Sequence, residues 1–207
     1  MSPYEYRKLT PEQRDELVRE RMALGYPSHS PPHPVRDQEH YLLSAACYDH
    51  ARHMLAEKRR QHLLDMLFEL LILAGIELRA WIVLPNHYHL LVQVADFAEI
   101  GRCLGIAHRT SSRQWNCEDG TPGRQVWYGY TDRAIRSERH YFVTLNYIHY
   151  NPVKHRWTPS PYDWRQSSVH WYLAQHGREW LRDLWARYPL RSYGHGWDDG
   201  LDLQPGP

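Results

Sequence analysis

The sequence predicts an α+β fold: a ferredoxin-like βαββαβ sandwich whose antiparallel sheet carries helices on one face, with an N-terminal helix before it and a C-terminal extension after it. Three observations predict it. Apolar residues switch between alternation and helical spacing in the order strand, helix, strand, strand, helix, strand. Turn residues fall between these segments, with Gly75 closing a helical run and Pro85-Asn86 separating two alternating ones. A chain of 207 residues, 42% hydrophobic and 13% aromatic, also holds enough apolar material for one packed domain with tails.

The elements follow in order. Thr10-Pro11-Glu12-Gln13 combines an N-cap threonine, a proline at the first helical position and a glutamine at the third, so a helix is expected over about 11–24. Leu17, Val18 and Met22 give it only a thin apolar stripe, which suits peripheral packing. Gly25 ends it, and Pro27-Ser28-His29-Ser30-Pro31-Pro32-His33-Pro34 reads as an extended linker. Residues 41–48 suit a buried strand, and 53–74 a helix with Leu63, Met66, Leu67, Leu70 and Leu71 on one face. Ile76, Leu78, Ala80, Ile82 and Leu84 alternate with Glu77, Arg79, Trp81 and Val83, the period of a strand covered mainly on one face. Beyond Pro85-Asn86, residues 87–94 alternate again and complete an antiparallel hairpin. A helix over 97–115, a short aromatic strand over 126–130 and a further helix from Ser137, ended by Asn151-Pro152 and lying behind the sandwich, complete the reading. The expected divisions are 1–39 (helix and linker), 40–157 (the sandwich) and 158–207 (extension).

Composition narrows the function classes. The formal net charge is only +1, so the total names no partner. The longest apolar runs, five residues each and including Leu70 to Ala74, fall far short of the roughly 18 residues of a membrane helix, and the charged N-terminus does not resemble a signal peptide. Cys47, Cys103 and Cys117 form no C-x-x-C pair, so a reduced, cytoplasmic protein is expected. Residues 101–170 are locally basic and aromatic, which suits single-stranded nucleic acid or merely a solvated surface.

Two groups of residues carry possible chemistry. On the second hairpin strand, alternation sends His87 and His89 to one face and Tyr88, Leu90 and Val92 to the other. Two neutral imidazoles on a rigid strand can converge on one divalent cation, although strand-end histidines can equally be solvated or bonded to backbone. In the last helix Tyr141, Leu145 and Ile148 form a core stripe, while His140, Thr144, Tyr147 and Asn151 form a wholly polar one. A polar stripe on a helix packed against a sheet must face solvent or a site. Tyr147 and Asn151, one turn apart, could bring a phenol and an amide oxygen over a single metal, with Tyr141 and Tyr150 as rivals for the phenol.

Trp81-Ile82-Val83-Leu84-Pro85-Asn86-His87-Tyr88-His89-Leu90-Leu91 resembles the strand-turn-strand of the single-tyrosine HUH transposases, the IS200-like family. Asn146-Tyr147-Ile148-His149-Tyr150-Asn151-Pro152-Val153-Lys154-His155 resembles the tyrosine helix of one branch, the REP-associated tyrosine transposases, and Asp163-Trp164-Arg165-Gln166-Ser167-Ser168 resembles that branch's tail. The likeness covers about 40–170. Tyr88 departs mildly from the bulky apolar residue usual between the two histidines. What the resemblance implies is a metal-dependent, single-strand DNA endonuclease and strand transferase that cuts at hairpin-forming repetitive DNA. His87 and His89 would be its metal-binding histidines, Tyr147 its nucleophile forming a 5′-phosphotyrosine, and Asn151 the third ligand, where related enzymes often have Gln. The implied cofactor is Mg²⁺ or Mn²⁺. The implied partners are single-stranded DNA and the imperfect hairpins of repetitive palindromic elements, met in the cytoplasm at the nucleoid, with the protein a monomer or homodimer and no membrane involved.

Arg109, Arg113, Arg133, Arg136, Arg139, Lys154 and Arg156, together with Arg124, are candidates for phosphate contacts. Trp115 and Trp127 are candidates for base stacking or for the core. Two other function classes remain. One is a hairpin-DNA-binding protein that no longer cuts. The other is a zinc hydrolase using His87 and His89, for which only Asp96 and Glu99 lie nearby.

Overall fold

A computed structural model of the chain describes Thr10, Glu12, Gln13, Glu16, Arg19, residues 39–94 and 97–195, and Trp197. The chain divides into two compact units, Met1–Asp37 and Gln38–Pro207, each considered by itself. In the first, the Thr10 N–H donates to Gln13 Oε1 at 2.9 Å and the Gln13 N–H donates to Thr10 Oγ1 at 3.3 Å. These are the two reciprocal bonds of the expected capping box. The stripe of Leu17, Val18 and Met22, the stop at Gly25, the Pro27 to Pro34 linker and Asp96 lie outside the described residues.

The second unit is built on a four-stranded sheet of β1 (His40–Cys47), β2 (Glu77–Val83), β3 (His87–Gln93) and β4 (Trp127–Ala134) in the order β2-β3-β1-β4. Every neighbouring pair is antiparallel. Helices α1 (Glu57–Leu73) and α2 (Phe97–Glu118) cross over between the strands, giving the βαββαβ order the sequence predicts. Both cover one face, over a core that includes Leu43, Leu63, Leu67, Tyr88, Leu90, Leu104 and Trp115. On the opposite face α3 (Glu138–Lys154) and α4 (Val169–Arg187) pack over Leu42, Ala80, Ile82 and Leu91. Each large aliphatic side chain buried this way contributes about 1.5–3 kcal/mol. Among the described residues no helix is long and apolar enough to cross a membrane.

Local chemistry sets the element ends. After α1, Gly75 takes φ +68°, the Ile76 N–H reaches Leu71 O at 2.9 Å and the Gly75 N–H reaches Ile72 O at 3.0 Å. This pair of bonds satisfies the last helical carbonyls and needs a residue tolerant of positive φ. The start of α3 is capped by Ser137, whose hydroxyl accepts from the His140 N–H at 3.1 Å.

Three expectations are corrected. Strand β2 is covered on both faces: a register shift between Leu78 and Ala80 breaks the alternation, so Trp81 and Val83 meet the α1–α2 layer and Ile82 and Leu84 the α3–α4 layer. Strand β4 extends to Ala134, beyond the expected end at Tyr130. Its outer half, Thr131-Asp132-Arg133, is polar because this is a sheet edge. Helix α3 does not stop at Asn151-Pro152 but runs through Pro152 to Lys154. The proline forgoes one helical hydrogen bond, yet the His155 N–H still closes onto Asn151 O at 3.1 Å and the Trp157 N–H onto Pro152 O at 2.9 Å.

The stretch after α3 is tied to the free edge of β2. Ile82 bridges antiparallel to Ser167, with the Val83 N–H on Gln166 O at 3.0 Å and the Ser168 N–H on Trp81 O at 2.9 Å. Trp164 Nε1 donates to Val83 O at 2.9 Å. An edge that would otherwise offer unpaired backbone groups is thereby closed.

Candidate active site

Strand β3 and helix α3 face each other across the second core. Because β3 alternates, Tyr88, Leu90 and Val92 point into the α1–α2 layer, while His87 and His89 point toward α3. Their ring centroids are 5.1 Å apart. Of the polar stripe on α3, Tyr147 and Asn151 are buried against this pair, with exposures of 1% and 0%, and Thr144, also buried, bonds His140 O and Tyr193 Oη. Tyr147 Oη lies 3.4 Å from His89 Nε2, and Asn151 Oδ1 lies 3.0 Å from His87 Nε2. The rivals lie elsewhere: Tyr141 packs edge-on against His40 and Phe142, and Tyr150 against Trp185.

The hydrogen bonds behind the imidazoles suit protonation at Nδ1. His87 Nδ1 lies 2.8 Å from Asn86 Oδ1, an oxygen that accepts from an Nδ1–H. His89 Nδ1 lies 2.7 Å from Ser44 Oγ, which can accept from it in the same way. In that tautomer both Nε2 lone pairs turn toward α3, and His87 Nε2 faces Asn151 Oδ1 at 3.0 Å; in the other tautomer the His87 Nε2–H donates to that oxygen. Ligands about 2.1 Å from one octahedral cation and at right angles to each other stand about 3 Å apart. With both protons on Nδ1 the donor set therefore fits a divalent cation. Among the described residues no group of three or more His, Cys, Asp or Glu side chains could hold a metal; His87, His89 and Asn151 would offer an ion two imidazoles and an amide oxygen. Mixed nitrogen and oxygen donors suit Mn²⁺ at least as well as Mg²⁺.

Further groups line the site. His155, just past the end of α3, brings its ring to 4.9 Å from that of His87. Lys154 Nζ lies 5.3 Å from the centre of the Tyr147 ring and donates to Gly194 O at 3.1 Å. Tyr193 and Trp197 pack edge-on against Tyr147 at 5.8 and 5.5 Å. Tyr193 Oη also meets Thr144 Oγ1 at 2.5 Å and His140 Nε2 at 3.1 Å. A Cβ on Gly194 would fall 2.2 Å from Tyr147 Cε2. The backbone at 194 thus lies directly against the ring that carries the hydroxyl.

The proposed DNA contacts divide by layer. Arg109 and Arg113 are exposed on α2, on the far side of the sheet from the histidines. Arg133 pairs across from Leu42 and so shares the α3 side, with its guanidinium 3.8 Å above Trp197. Arg136 and Arg139 are exposed at the start of α3, and Lys154 and Arg156 lie at its end. Arg124 is bound to Asn116 and Asp119 at 2.9 and 2.7 Å, which offsets its charge. Trp115 and Trp127, at 0% and 7% exposure, belong to the core and are closed to bases. Glu99 is paired with Arg102 at 2.5 Å, away from the histidines.

Sequence reasoning missed Ser44, the partner roles of Asn86 and Lys154, and the cover formed by Tyr193, Gly194 and Trp197. Ser44 reaches His89 only because β1 pairs with β3 in the register that sets Ser44 opposite His89. No local signal carries that register.

No family model matches the chain. It is 28% identical over 111 residues to the REP-associated tyrosine transposase of Escherichia coli (strain K12), an alignment covering 52% of this chain and 64% of that protein. It is 31% identical over 103 residues to a Haemophilus influenzae (strain ATCC 51907 / DSM 11121 / KW20 / Rd) protein of the same description in provisional form, covering 42% and 56% respectively. The chain therefore spans less than two thirds of either relative. Among solved structures it is similar to a REP-associated tyrosine transposase bound to a REP hairpin, with a TM-score of 0.55 and 21% identity over 72% of this chain and 88% of that one. That likeness is one of fold. The resemblance read in the two sequence motifs and the relatives' names point to the same group.

Proposed function

We propose that this chain is a REP-associated tyrosine transposase: a metal-dependent single-strand DNA endonuclease and strand transferase acting at hairpin-forming repeats, with residues 40–157 as its catalytic part. The observation that carries the proposal is the pair of approaches across the β3–α3 interface, Tyr147 Oη to His89 Nε2 at 3.4 Å and Asn151 Oδ1 to His87 Nε2 at 3.0 Å. A buried phenol and a buried amide set against two imidazoles of one strand are more polar than a core contact requires. This set suits nucleophilic chemistry on a phosphate. Similarity to a protein solved with a REP hairpin supports hairpin DNA as the partner.

The chain's own groups divide the work. A divalent cation bound by His87, His89 and Asn151 would supply Lewis-acid charge to the scissile phosphate and ease loss of the phenol proton. Asn86 and Ser44 hold the imidazoles with Nε2 toward the site. Tyr147 attacks through Oη: the Oη–P bond forms, the P–O3′ bond breaks, the phenol loses its proton and the departing 3′-oxygen takes one up as a hydroxyl. The phosphodiester energy stays in the 5′-phosphotyrosine, so attack by a 3′-hydroxyl on that phosphorus restores a DNA strand and the free phenol. At 1% exposure the phenol meets DNA only when the segment around Gly194 gives way.

The test is Tyr147→Phe on a labelled hairpin oligonucleotide with Mn²⁺ or Mg²⁺. The variant should bind the hairpin as the wild type does and form no covalent adduct. An adduct that persists moves the nucleophile elsewhere. A wild type that binds but never cuts identifies a hairpin-binding protein without turnover.

A further inference from the structure

Helix α3 continues through Pro152, and this continuation places Lys154 seven residues, or two turns, beyond Tyr147 on the same face. Its ammonium is 5.3 Å from the centre of the Tyr147 ring and donates to the Gly194 carbonyl oxygen at 3.1 Å. That carbonyl belongs to the residue whose backbone presses on the ring: the Cβ position of Gly194 is 2.2 Å from Tyr147 Cε2 and 3.1 Å from Cζ, the carbon that bears the hydroxyl. Lys154 therefore already grips a partially negative oxygen of the residue that packs on the ring bearing the nucleophile. The other candidate cations of this layer are placed differently. Arg133 covers Trp197, Arg136 and Arg139 lie at the opposite end of the helix, and Arg156 is exposed past its last residue.

We propose that Lys154 is a catalytic residue that binds a non-bridging oxygen of the scissile phosphate, in the place Gly194 O occupies here. The proposal rests on the transferase reading above. As the Oη–P bond forms and the P–O3′ bond breaks, negative charge accumulates on the non-bridging oxygens. A fixed ammonium against one of them is worth more in the transition state than in the bound substrate. A phosphate contact elsewhere along the strand would add to affinity in both states alike and steepen the salt dependence of binding. The two roles therefore separate experimentally.

The experiment uses the full chain and a hairpin oligonucleotide carrying the cleavage site, with saturating Mn²⁺. Lys154→Ala should cut about 100-fold more slowly at saturating DNA, bind the hairpin within about 3-fold of wild type and keep its salt slope. Lys154→Arg, which retains a cation, should recover part of the rate. A methylphosphonate at the scissile position, which removes the charged oxygen, should slow the wild type strongly in one diastereomer and slow Lys154→Ala little further. Melting temperatures of both variants report whether they fold. A loss of affinity and of salt slope with an unchanged saturating rate would overturn the proposal in favour of an ordinary backbone contact. Penalties from substitution and methylphosphonate that simply multiply would overturn it too. If the wild type forms no adduct, the transferase reading and this proposal fail together; if it cuts and Lys154→Ala cuts equally fast, only this proposal fails.

Discussion

Acid should unfold this protein in a pH range set by buried histidines, and His149 is the place to test it. The His149 ring is fully buried between α3 and α4. Its Nε2 lies 3.1 Å from Ser168 Oγ, and its edge meets Tyr172 and Trp185. Its Nδ1 has no hydrogen-bond partner. Burial, aided by the nearby His170, pushes its pKa down to about 3. In the unfolded chain it returns to about 6.5. The folded value is depressed, so the neutral ring contributes full stability above about pH 6.5, and stability is lost as the pH falls toward 3. Through that window the unfolded chain takes up a proton that the folded chain refuses, which costs about 1.4 kcal/mol per pH unit. By pH 5 the loss is about 2 kcal/mol, a sizeable part of the 5–15 kcal/mol typical of a domain. His108, stacked at 4.5 Å on Trp127 and likewise pushed down to about 3 by burial, adds a similar loss. His40, His53 and His140, lowered by burial and neighbouring arginines, add smaller losses of the same sign. Urea unfolding followed by tryptophan fluorescence at pH 7 and pH 5 measures the sum, and His149→Gln isolates one contribution. Whatever the substitution costs at pH 7, the variant should lose about 2 kcal/mol less than the wild type between the two pH values. Parallel losses in the two proteins would refute the reasoning.

Two other perturbations test the site and its frame. Ser44→Ala removes the partner of His89 Nδ1 and should weaken Mn²⁺ binding about 10- to 100-fold by calorimetry while leaving the melting temperature close to wild type; an unchanged affinity would separate Ser44 from the metal site. Arg60 is buried under Trp164, with bonds to Met54 O, Leu55 O and Gln166 Oε1 at 2.8, 2.6 and 3.2 Å. Arg60→Met should cost about 2–4 kcal/mol in denaturant unfolding, and a loss below about 1 kcal/mol would show that the loop before α1 is held by other contacts.

The order of strands and helices was legible because hydrophobic period, caps and turn residues act over a few residues of chain. The pairing of Thr10 with Gln13, the Gly75 stop and the Ser137 cap depend on contacts three to five residues apart, and all three are found where the sequence put them. The facing of His87 and His89 away from Tyr88 follows in the same way from the two-residue period of a strand. Other features were hidden because they compete with a local preference or depend on one. A proline disfavours helix continuation, yet the helix runs on to Lys154 with the His155 N–H bonded to Asn151 O. An apolar alternation cannot reveal the shift between Leu78 and Ala80, which depends on pairing with β3.

The sequence by itself determined which residue types could do chemistry and on which face of their own element each lies. Tertiary structure decided what those faces meet. Ser44 comes to His89 across 45 residues of chain, Asn151 to His87 across 64 and Gly194 to Lys154 across 40. Such contacts are fixed by strand register and by helix packing on the sheet, whose energies are summed over the whole core, so no short stretch of sequence encodes them.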